Sequence, residues 1–69
     1  MMKIENETQL RRAIVKLLRE TPEGMGSVAI ATRLWQPVGK VILALGELQL
    51  TNNVIKNENK NRWFVLNDS

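Results

Sequence analysis

The chain of 69 residues contains no cysteine, no histidine and no tyrosine. Without cysteine there is no disulfide to staple the fold and no thiolate site for zinc. Without histidine, the usual general base, the usual imidazole metal ligand and the side chain that titrates near neutrality are all missing. Aromatic side chains are scarce, with one phenylalanine and two tryptophans. No apolar run approaches the ~20 residues that a membrane-crossing helix needs. The opening Met-Met-Lys-Ile-Glu-Asn-Glu lacks the apolar core of a secretion signal, so a reduced, cytoplasmic setting is the expectation. There is no glycine-rich loop leading into Lys-Ser or Lys-Thr to hold phosphate, and the seven carboxylates form no evident acid–base pair. Neither an enzyme nor a bound cofactor or metal is expected.

What remains is a globular composition, 43% hydrophobic and 25% charged. Ten basic residues against seven acidic ones give a net charge of +3, which permits a polyanionic partner without demanding one. The length predicts one domain over residues 1–69, with an ordered core over about 8–66. So short a chain buries only about 60% of its unfolded surface, and a partner that buries more would add to its stability.

Leu10, Ala13, Ile14, Leu17 and Leu18 stand at the spacing of one apolar stripe on a helix. Asn6 followed by Gln9 is a capping box at its start, and Thr21-Pro22-Glu23-Gly24 stops it. Its other face carries Arg12, Lys16 and Arg19, read either as an ordinary solvated face or as a secondary phosphate contact. Met25, between two glycines, is expected to act as a one-residue strand pairing with a later hairpin. Ser27 reads as the N-cap of a second helix with apolar positions Val28, Ile30, Ala31 and Leu34. After Gln36-Pro37 a third helix runs through Val38, Val41, Leu45 and Leu48, and Thr51-Asn52-Asn53 closes it, since asparagine tolerates a left-handed backbone. The period then changes. Val54-Ile55-Lys56 and Arg62-Trp63-Phe64-Val65-Leu66, around the polar residues 57–61, predict a β-hairpin. The expected class is mainly α with a small hairpin (α+β): three helices followed by a two-stranded wing.

This order resembles the winged helix-turn-helix family over about residues 8–66. Ala31 stands where that family packs its second helix closest to the third, with Ile30 and Leu34 beside it. Val41, Leu45 and Leu48 match the buried face of the third helix, Asn52-Asn53-Val54-Ile55 the entry to the wing, and Trp63 the aromatic anchoring the returning strand. The run Ala-Leu-Gly-Glu-Leu-Gln-Leu-Thr-Asn-Asn-Val-Ile is most similar to small bacterial winged-helix proteins of unassigned role. Two positions depart from the pattern. Trp35 replaces the glycine usual in the turn; because tryptophan disfavours positive φ, a turn of different shape is expected, with Trp35 either covering it or anchoring a partner. In the third helix, the positions outside the stripe include Ile42, Leu43 and Gly46, where base-reading helices carry polar side chains.

The resemblance implies first a DNA-binding protein, a small transcriptional or replication regulator. Gln36, Gly39 and Lys40 would approach the groove, Lys56, Asn59, Lys60 and Arg62 of the wing would clamp the flanking backbone, and Arg33 would add a phosphate contact. The alternative is a protein-interaction or dimerisation module without DNA binding, using Trp35, Ile42, Leu43 and Gly46. A homodimer would join the two readings, since two copies can address half-sites one DNA turn apart.

Overall fold

The computed structural model describes residues 4–66; the first three and last three positions of the domain expected over 1–69 lie outside the described residues. Three helices, α1 (Glu7–Arg19), α2 (Ser27–Leu34) and α3 (Val38–Leu50), precede an antiparallel hairpin of β1 (Val54–Asn57) and β2 (Arg62–Val65). The protein is thus α+β, in the order the apolar spacing predicts.

Each helix end follows from local chemistry. Asn6 caps α1, its Oδ1 accepting from the Gln9 N–H at 2.9 Å. The return half of the box differs from expectation, because Gln9 Oε1 accepts from Glu5 N–H rather than from Asn6. Gly26, not Ser27, is the N-cap of α2, and no side chain bonds there; Ser27 is already helical. The end of α3 is a left-handed closure: Asn52 has φ +62, its N–H donates to Gln49 O, and Asn53 N–H donates to Leu48 O at 2.8 Å.

Burial follows the three stripes. The five expected positions of α1 are all buried, and Ile30 and Ala31 of α2 meet Val41, Ala44, Leu45 and Leu48 of α3. Ile14, Leu18, Ile30, Val41, Leu45 and Val54 are fully enclosed, each contributing about 1.5–3 kcal/mol of burial. Two expected core positions face solvent instead: Val28 is 66% exposed and Val38 41%. Both occupy the first turn of a helix, before its stripe has rotated onto the core. Ala44, not singled out by the spacing, lies in the seam with the buried residues of α3.

The hairpin is tied to the helices at its returning strand. Met25 and Trp63 exchange backbone hydrogen bonds at 3.1 and 2.7 Å, making Met25 the expected one-residue strand beside β2. Val54 pairs with Val65 and Lys56 with Trp63 on the face toward the core, while Ile55 pairs with Phe64 and Asn57 with Arg62 on the outer face. Gly24 precedes the bridge with φ +79, and a Cβ there would stand 2.7 Å from the Phe64 ring and 2.9 Å from the Trp63 carbonyl oxygen. Gly24→Ala therefore combines strain with a clash, and urea denaturation is expected to show a loss of about 2 kcal/mol. Unaltered stability would mean that this turn is not held against β2.

Candidate interaction surface

The connection from α2 to α3 sets the surface. Trp35 has φ +58 and ψ +43 and occupies the left-handed position that ends α2. Its N–H donates to Thr32 O at 3.4 Å and Gln36 N–H to Ala31 O at 3.0 Å, the hydrogen-bond pair of a glycine-type closure. The expected turn of different shape is therefore corrected: the chain keeps the left-handed turn and places a tryptophan in it. Nor is Trp35 a cover, since it is 91% exposed. The three residues Trp35, Gln36 and Pro37 leave α3 bent by 115° from α2, within the range of helix-turn-helix units.

With Val41, Ala44, Leu45 and Leu48 turned inward, helical rotation of ~100° per residue points Gly39, Leu43, Gly46 and Leu50 away from the core. Ile42 lies on one shoulder, and Lys40 and Glu47 on the other. Exposure agrees: Leu43 is 72% open, Leu50 84% and Ile42 52%. A Cβ added at Gly39 or Gly46 would meet nothing within 4 Å, so the helix backbone itself is accessible there. Leu50 was not among the candidates from sequence. The signal was available, since Leu50 follows Leu43 by seven residues and Gly46 by four.

The cations do not gather on one side of this face. Lys40 and Gln36 line a groove of about 730 Å³ between α3 and the start of α1, shared with Glu5, Glu7 and Glu47. Glu47 bonds Arg11 at 3.0 Å, an exposed pair tying α1 to α3 that contributes at most about 1 kcal/mol. Lys56, half-buried, lies on the core side of the hairpin with its Nζ 3.9 Å from Glu58. Arg62 lies on the opposite hairpin face and donates to the Glu23 carbonyl oxygen at 3.3 Å. Asn57 Oδ1 accepts from the N–H groups of Asn59 and Lys60, so this asparagine shapes the turn. Asn59 and Lys60 are exposed at its tip, and Arg33 is exposed in the last turn of α2. Arg12, Lys16 and Arg19 line a shallow depression on α1 with Arg11, Leu48 and Asn53.

The arrangement thus offers an apolar helix face headed by a tryptophan, with basic groups dispersed around the molecule. Among the described residues, no single helix is long and apolar enough to cross a membrane. No family model, curated protein or solved structure matches this chain.

A left-handed tryptophan costs about 1 kcal/mol relative to glycine, and an indole so exposed returns little packing within the chain. Trp35→Gly in dilute protein is therefore expected to raise the urea midpoint by an amount equivalent to about 1 kcal/mol at unchanged slope. A lower midpoint would show that the indole contributes to the fold.

Proposed function

We propose that this chain is a winged-helix module that binds protein through α3, rather than reading base edges with it. The observation that carries this reading is the outward face of α3, where Leu43 and Leu50 are exposed beside Gly39 and the half-buried Gly46, with Ile42 exposed on its shoulder and an exposed Trp35 in the turn that precedes the helix. A helix apolar on the core side and again on the solvent side needs a second apolar surface. Base edges are recognised by paired hydrogen bonds from Arg, Lys, Asn, Gln, Ser or Thr, and this face has none of these at its centre. The winged-helix assignment is supported by the 115° bend across three residues, the Met25–Trp63 bridge and the hairpin following the third helix.

The second reading is duplex DNA binding by a regulator of transcription or replication. It is favoured by the exposure of Arg33, Gly39, Lys40, Asn59, Lys60 and Arg62 and by the net positive charge. Against it stand Lys56 and Arg62 on opposite faces of the hairpin, and Lys40 in a groove where three carboxylates outnumber it and Arg11.

A titration with mixed-sequence duplex DNA, followed by amide NMR shifts at low and moderate salt, separates the two. The interaction module predicts no shifts at Ile42, Leu43 or Gly46. A regulator using α3 and the wing predicts shifts at Gln36, Lys40, Lys60 and Arg62 that spread onto those α3 amides. Its affinity would fall with salt at a log–log slope of about −3 to −4, as four phosphate contacts require. That second outcome would overturn the proposal.

A further inference from the structure

Resting on the reading of α3 as a protein-binding face, we infer that its partner is a second copy of this chain, packed antiparallel, α3 on α3. The order of residue sizes along the face is palindromic. Reading inward from its two ends, a large apolar residue (Trp35, Leu50) is followed by a glycine (Gly39, Gly46) and then by the central pair Ile42 and Leu43. A two-fold axis lying in the seam, level with the midpoint between Ile42 and Leu43, brings Ile42 to the height of the partner's Leu43. It also sets Gly39 against the partner's Gly46, and Trp35 toward the end of the helix that carries the partner's Leu50. Large meets large at both ends, and backbone meets backbone where a Cβ at either glycine would meet nothing within 4 Å. An isologous contact needs this self-complementarity, and an unrelated partner does not.

Charge obeys the same axis. Lys40 and Glu47 share one shoulder of α3, and a two-fold operation keeps that shoulder on the same side of the seam. Lys40 is then offset by about two residues, ~3 Å along the helix axis, from the partner's Glu47, a carboxylate that also bonds Arg11 of its own chain. Each copy supplies one cation and one anion to the rim, so like charges do not oppose each other. The area is adequate for a modest dimer. Trp35, Ile42, Leu43 and Leu50 leave roughly 500 Å² of apolar side chain open in each copy, which is the scale of a weak, small interface.

The test uses the intact chain in sedimentation equilibrium over a wide concentration range, with two kinds of variant. The wild type is expected to rise from 7.9 kDa to twice that mass. Gly46→Leu improves helix propensity and starts from a Cβ position with nothing within 4 Å, so the monomer is expected to stay folded, while the added side chain parts the two helices. It should weaken the dimer roughly tenfold or more. Because the chain has no cysteine, disulfides report the register directly. A mixture of Gly39→Cys and Gly46→Cys chains should oxidise to the mixed dimer, and neither variant should cross-link with itself. Identical positions lie about 10 Å apart along the antiparallel axis, beyond disulfide reach.

A dimer with this cross-linking pattern establishes the inference. A dimer that resists Gly46→Leu, or that forms 39–39 or 46–46 links, overturns it, because another face or direction is then in use. A chain that remains monomeric at millimolar concentration also overturns it. In that case the DNA titration separates the two claims: silent α3 amides leave a protein-binding α3 with a different partner, whereas shifted ones remove that reading too.

Discussion

Two backbone hydrogen bonds at the end of α2, from Trp35 N–H to Thr32 O and from Gln36 N–H to Ala31 O, aim the third helix. They reverse the chain within three residues, and Pro37 then enters α3 at φ −60 with its missing N–H in a place where no helical partner exists. The resulting bend lays Val41, Ala44, Leu45 and Leu48 over α1 and α2. Once those four are committed to the core, 3.6 residues per turn leaves Gly39, Leu43, Gly46 and Leu50 pointing outward. The exposed apolar face is thus a consequence of how the core closes.

Much of this was legible in the sequence because the signals are local. The stripe of α1 is a strict helical repeat, and all five of its positions are buried. The asparagines after α3 announce a left-handed closure because few other residues accept one, and Asn52 supplies it. Trp35 shows where that logic stops. Positive φ is a preference of about 1–2 kcal/mol, and the paired hydrogen bonds of the closure together with the core they align outweigh it. The reading of Trp35 as a cover failed for a related reason, since a residue in the left-handed position stands at the corner of the turn, away from the packed seam. The hairpin cations were beyond sequence alone. Whether Lys56 and Arg62 share a face depends on the pairing register, and β1 runs one residue further than expected, through Asn57. A side chain's face alternates with every residue, so register decides direction.

The distribution of charge fits the same geometry. Among the described residues no charged side chain is buried, and their cations stand on α1, the end of α2, the first turn of α3 and the hairpin. Glu47 turns toward Arg11 on α1, which draws the one carboxylate on the outer half of α3 to the shoulder and leaves the centre of the face without charge. A net charge of +3 spread in this way gives a diffuse positive field rather than a focused patch. Such a field keeps molecules apart at long range, but at physiological ionic strength it is screened beyond about 8 Å. Two copies meeting through an uncharged helix face feel little of it.

Small size gives that face its energetic meaning. A chain of this length leaves much of its apolar surface in water after folding, and here a large share of the remainder is concentrated on one helix. Scattered exposed leucines are ordinary on protein surfaces. Leu43 and Leu50 are not scattered, since they continue one line with two glycines whose backbone is open to close approach. Glycine in the middle of an exposed helix costs about 1 kcal/mol relative to alanine, and at Gly46 no contact of a would-be Cβ with the rest of the chain returns that cost. A helix that gives up stability at Gly46, on the face that also carries its exposed leucines, would suit a surface that approaches closely enough to need the missing side chain.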